Sequence, residues 1–186
     1  MIVLRSVGSL VEAVELFIEK IIHRIFGSFM NYSATLCIID VQVPFHAAGR
    51  ESLLDNVVRL VKNAKRRRAG IVLVEFEGFG STHIAIQQAI GSYEKCITTI
   101  KSDCDGSEEI IDACRKRGFN TRKIIICGVE TNNCVMATLD GLDDLLPFSK
   151  KEVVASACNT MGHNDSVNKK ALKKMLRYEN VSVRRK

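Results

Sequence analysis

Three residues of this sequence have the side chains for covalent chemistry, provided that the fold brings them together: Asp40, Lys101 and Cys134. A thiol is a good nucleophile, but with an ordinary pKa of about 8.5 it is only a few per cent ionised at neutral pH. A carboxylate to accept its proton and an ammonium to balance charge would supply what it lacks, the logic of nucleophilic attack on a carbonyl. Each residue also has an ordinary reading. An Asp closing a strand caps a turn, a Lys after a strand is solvated, and a Cys entering a helix packs as a small hydrophobe. The elements around the three residues decide between these readings.

From Thr35 onward, apolar runs of strand length alternate with helical patterns. Strands are expected over residues 35–39, 71–76, 96–100, 124–129 and 153–155, with a short final run at 181–183. Helices are expected over about 52–69 (closing at Gly70), 82–90, 107–118, 133–145 and 165–178. Apolar strands separated by helices imply a parallel sheet covered on both faces. The expected fold class is therefore a three-layer, doubly wound, Rossmann-like α/β fold of about six strands. Such a sheet binds ligands beyond the carboxyl ends of its strands, where the strand order reverses. Asp40 directly follows the first strand, Lys101 directly follows the third, and Cys134 opens the helix five residues past the fourth. All three belong to the same edge.

Composition bounds the alternatives. The 186 residues suit one compact domain, 46% of them are hydrophobic, and only two prolines occur, so a folded domain with a sizeable core is expected. The net charge of +6 sits in short clusters, Lys65 to Arg68 among them. No aromatic-interleaved stripe or known module accompanies these clusters, which argues against nucleic acid as a partner. The seven cysteines form no C-x-x-C pair or zinc-ligand spacing, and Cys37 and Cys127 lie in apolar runs. A reducing, cytoplasmic location follows.

The first 31 residues carry Val7, Leu10, Val14, Phe17, Ile18, Ile21, Ile25 and Phe29 at helical spacing, a single amphipathic helix ahead of a domain spanning 32–186. Glu12, Glu15, Glu19, Lys20 and Arg24 interrupt it too often for stable membrane insertion, and no signal-peptide pattern is present. Its stripe would cover its own domain, a subunit mate or a membrane surface. Met30 offers a second possible start just before the first strand.

LCIIDVQVPF at 36–45, ITTIKSDCDGS at 97–107 and IIICGVETNNCVMATLDGL at 124–142 resemble the three motif segments of the isochorismatase-like cysteine hydrolases. The resemblance implies a small-molecule hydrolase in which Asp40 is the acid-base, Lys101 the cation and Cys134 the nucleophile. It also implies a cis peptide between Val129 and Glu130, backbone oxyanion donors at Glu130 and Cys134, and a homo-oligomer with pockets shared between subunits. The expected reaction is cleavage of a C–N bond in an amide, ureido or imide compound through a thioester. A vinyl-ether hydrolase and a non-catalytic scaffold on the same fold are the alternatives. Gln42, Phe45, Phe79 and His83 are expected to line the substrate pocket. The metal-binding branch of the family uses a D-x-H pattern; here EFEGFGSTH at 75–83 offers Glu75, Glu77 and His83 instead, so no metal or other cofactor is expected. Finally, Lys101 and the helix start at Cys134 are expected to lower the thiol pKa, while the Asp40 charge opposes both.

Overall fold

The computed structural model describes residues 34–185. The amphipathic helix expected over 1–31, and the choice between Met1 and Met30, lie outside the described residues.

Six strands form one parallel sheet: β1 (Thr35–Ile39), β2 (Gly70–Phe76), β3 (Cys96–Lys101), β4 (Lys123–Val129), β5 (Lys150–Asn159) and β6 (Val181–Arg184). Their order is β3-β2-β1-β4-β5-β6, so the winding direction reverses between β1 and β4. Five helices connect them: α1 (Glu51–Arg66), α2 (Ile84–Ile90), α3 (Ser107–Arg117), α4 (Cys134–Leu145) and α5 (Asp165–Met175). Helix α1 packs with α2, α3 with α4, and α4 with α5. With right-handed crossovers, the first two cover one face and the other three the opposite face.

Helix α1 forms because Leu53, Val57, Leu60, Val61 and Ala64 recur on one face and are buried together. Glu51 in its first turn and Lys65 and Arg66 in its last complement the helix dipole. It ends three residues before the expected boundary because Arg68 takes a left-handed conformation, with φ of 55°. Gly70 is therefore no helix cap. It opens β2 under the Phe119 ring, which a Cβ would approach to 2.5 Å.

Helix α2 starts two residues later than expected because Thr82 is held in an antiparallel bridge to Gln42. The Lys65 ammonium donates to the carbonyls of Ala89 and Ile90, closing the last turn of α2. Strand β5 is far longer than the three residues expected. Its first residues, Lys150 to Glu152, look like loop in the sequence, but Lys151 is buried in a salt bridge to Asp143. At the reversal point β1 and β4 approach closely. Gly128 permits this, because a Cβ there would lie 2.0 Å from the Ile39 carbonyl oxygen.

Candidate active site

The chain leaves β1 at the reversal point with Asp40 at φ 52°, its amide donating to the Val74 carbonyl at 2.9 Å. That turn aims the carboxylate into the protein, where it is fully buried. Lys101, the last residue of β3 and 1% exposed, reaches back along the sheet edge to place Nζ 2.9 Å from Asp40 Oδ2. Both side chains are completely excluded from water. The ammonium also donates to the carbonyls of Asp103 at 2.8 Å and Cys104 at 3.2 Å, and lies 4.5 Å from the centre of the Phe76 ring. Gly106 leaves room for this side chain, since a Cβ there would stand 2.9 Å from Lys101 Cδ.

The contact between Lys101 and Asp40 is an ion pair rather than a well-aligned hydrogen bond, and neither carboxylate oxygen has an aligned donor among the described residues. Burial raises the Asp40 pKa above the ordinary carboxylate value; the direct contact with the Lys101 ammonium and its charge, and then the neighbouring Cys134 thiol, pull the other way.

Cys134 is the first residue of α4 and only 3% exposed. Burial, and then the adjacent Asp40 carboxylate, push its thiol up to about 12, against the opposing pull of Lys101. The direction is opposite to the sequence expectation. Lys101 faces Asp40 and two carbonyls, so its charge is largely balanced before it reaches the sulfur, and desolvation wins. The resting group is a thiol.

The turn before α4 contains a cis peptide between Val129 and Glu130. The amides of Thr131, Asn133 and Val135 donate to backbone carbonyls. Among the described residues, those of Glu130 and Cys134 do not. Asn133 gives the helix no side-chain cap, so the Cys134 N–H at the start of α4 has no capping side chain.

The four residues expected to line a substrate pocket separate into two kinds. Gln42 is fully buried, with its amide committed to the backbone: Nε2 donates to the carbonyls of Phe76 and Gly80, and Oε1 accepts from the Phe76 amide. It braces the loops after β1 and β2 and has no group left for a ligand. His83 caps α2, its Nδ1 accepting from the Ala85 amide at 3.2 Å. Phe45 and Phe79 stack with ring centres 4.7 Å apart, and both meet Phe76 edge to face. Phe79 is 38% exposed.

The sequence reading gave Phe76 no role, yet its ring lies beneath the Lys101 ammonium. The signal was register, since Phe76 pairs with Lys101 across β2 and β3. The Glu130 side chain was also missed: it accepts from the Met161 amide, and burial raises its pKa. Asn159 ties this region together, donating to the Ala47 carbonyl at 3.0 Å and lying 2.7 Å from His163 Nδ1.

Two of the three donors weighed for a divalent ion, Glu75 and His83, have protein partners. Glu75 Oε1 accepts from the Thr82 amide and hydroxyl, and His83 Nδ1 is held by its cap. Among the described residues no three His, Cys, Asp or Glu side chains gather as a ligand set.

The sequence model of the Isochorismatase domain matches residues 34–144, more than half of the chain. The chain belongs to the isochorismatase-like hydrolase family. No curated protein sequence matches it significantly. Among solved structures, an isochorismatase from Pseudomonas putida superposes with a TM-score of 0.67 at 18% identity, covering 88% of this chain and 95% of that one. A nicotinamidase from Staphylococcus aureus gives 0.67 at 16% identity, covering 82% and 99%. A hydrolase from Escherichia coli described as octameric and of unknown specificity gives 0.65 at 18%, covering 82% and 74%. These likenesses establish the isochorismatase-like fold. No helix among the described residues is long and apolar enough to cross a membrane.

Proposed function

We propose that this member of the isochorismatase-like family is a cysteine hydrolase that cleaves a C–N bond in a small amide, ureido or imide substrate without a metal. The observation that carries the reading is the dry Asp40–Lys101 pair, 2.9 Å apart at the sheet's reversal point and in electrostatic contact with the Cys134 thiol. Placing a carboxylate and an ammonium out of water costs several kcal/mol for each ion, and a hydrophobic pair would fill the space at less cost. Such an arrangement beside a nucleophile supports a catalytic purpose.

With the thiol near 12, the thiolate does not accumulate before reaction. Sulfur attacks the substrate carbonyl as Asp40 takes the S–H proton. The amides of Glu130 and Cys134 receive the developing oxyanion, each such donor being worth about 10²- to 10³-fold in rate. Asp40 then returns its proton to the leaving nitrogen as the C–N bond breaks, leaving a thioester on Cys134. Water, deprotonated by Asp40, hydrolyses it and restores the thiol. Lys101 keeps Asp40 within reach of its ionised form. Phe45, Phe76 and Phe79 form an apolar wall for the substrate.

Seven free cysteines support a reducing, cytoplasmic setting. With Cys134 only 3% exposed in one subunit, a homo-oligomer that completes the pocket fits the site.

The test is a panel of small amides, ureido acids and cyclic imides assayed for ammonia or ring-opened acid, with and without added zinc and with a chelator. Turnover of at least one class, insensitive to zinc and chelator and reduced about 10³-fold or more in Cys134→Ala, is expected. Turnover undiminished by Cys134→Ala would refute the mechanism, and turnover abolished by the chelator would refute metal independence.

A further inference from the structure

Among the described residues, two helices cover one face of a six-stranded sheet and α1 packs on β5, so the β6 edge of that face stays open beside α1. A groove of about 410 Å³ results, within the range of small-ligand sites. Its floor is aliphatic, made by Leu60 and Val154. Its walls carry three guanidinium groups, those of Arg59, Arg184 and Arg185, and no carboxylate lines it.

These cations come from two elements, Arg59 from α1 and Arg184 and Arg185 from the end of β6, and two of them are held in place. On α1, Asn56, Arg59 and Asn63 share one stripe, being three and four residues apart. The Asn56 side chain is fixed by donating to the carbonyls of Ser52 at 2.7 Å and Ser156 at 2.6 Å, and its Oδ1 accepts from Arg59. Across the groove, Arg184 pairs in register with Val154, which puts both on the same sheet face. Arg184 Nε lies 2.7 Å from Glu152 Oε1, while Lys123 neutralises the other oxygen of that carboxylate at 2.9 Å. Among the described residues Arg59 and Arg185 form no salt bridge. The lining therefore holds the charges of Arg59 and Arg185, with Arg184 sharing the Glu152 carboxylate with Lys123, above an apolar floor.

We propose that this groove is a second binding site, separate from the Cys134 trio, for a small molecule bearing a di- or triphosphate. Guanidinium forks match phosphate oxygens in pairs, and three of them call for a multiply charged anion. An extended nucleic acid is disfavoured because the groove offers no aromatic surface for base stacking. None of the lining residues belongs to the catalytic trio, so this inference stands whether or not the amide-hydrolase reading does.

The experiment is isothermal titration of the full chain with inorganic pyrophosphate, with ATP, and with a single-stranded RNA of about 20 nucleotides, in the wild type and in Arg59→Gln, Arg184→Gln and Lys62→Gln. Saturable one-to-one binding of pyrophosphate or ATP is expected, weakened about tenfold or more by Arg59→Gln and by Arg184→Gln but less than twofold by Lys62→Gln. Circular dichroism confirms that each variant is folded, and Arg59→Gln tests the site without disturbing the Glu152 pair. No saturable binding of either phosphate probe would overturn the proposal. So would binding that Arg59→Gln leaves intact, or RNA binding that Lys62→Gln weakens as much as the two groove variants do, the mark of a diffuse polyanion surface.

Discussion

Among the described residues two lysines are fully buried, each facing an aspartate, and they sit at opposite ends of the sheet. Lys151 enters β5 from the amino edge and donates to Asp143 at 2.7 Å and to the Leu146 carbonyl at 2.7 Å, tying off the end of α4. The Asp143 side chain is 26% exposed, so water shares its charge. Lys101 stands at the carboxyl edge facing Asp40, which is wholly dry and has no aligned donor on either oxygen. The proposed function therefore rests on the buried lysine whose partner is left electrostatically needy. Lys151 finishes a helix, whereas Lys101 holds a carboxylate that still has capacity for another proton.

Substitution tests this contrast most strongly. Lys101→Met strands a dry carboxylate and is expected to cost about 3–5 kcal/mol in urea-unfolding stability and about 10³-fold or more in amide turnover. Lys151→Met leaves an aspartate that water can reach, so it should cost less stability and leave turnover within about threefold. Equal effects of the two on turnover would erase the distinction. The double variant Asp40→Leu with Lys101→Met sharpens it. Removing both charges of a dry pair should restore most of the lost stability while turnover stays absent.

Two pH profiles probe the same pair. Asp40 must be ionised to accept the thiol proton, so turnover should rise with pH through a value above the ordinary carboxylate range, and by stopped-flow assay an active Lys101→Arg enzyme should keep that limb. For stability the sign is the reverse. The Cys134 thiol has a folded pKa of about 12 against a reference of 9.0, so its contribution is complete below pH 9 and is lost as pH rises toward 12. Cys134→Ala should flatten the alkaline fall in stability measured by urea titration, and an unchanged fall would contradict this. The smallest effect belongs to His83→Ala, which removes the α2 cap at a cost of about 1 kcal/mol and should leave turnover within about threefold.

The grouping of the candidate site residues was legible in the sequence because topology alone assigns them to one edge. Asp40, Lys101 and Cys134 each sit where a strand ends or the following helix begins, so element order sufficed. What element order does not contain is solvent and register. The sign of the thiol shift depends on how completely Asp40 and Lys101 are dried, and Phe76 enters the site only through its pairing with Lys101. Gln42 misled for a related reason: a polar residue two positions past Asp40 looks available until its amide is seen bound to Phe76 and Gly80. Strand β5 was underestimated because Lys151 is buried by a partner seven residues before the strand begins, which no local pattern reveals.

The central claim is that Cys134 forms a bond to the substrate. Rapid acid quench of the wild-type enzyme during turnover, followed by mass spectrometry of the peptide carrying Cys134, tests this directly. The account predicts an adduct on Cys134 with the mass of the acyl portion, lacking the departed amine. Full turnover with an unmodified Cys134 at every quench time, or the acyl group on a different cysteine, would contradict it.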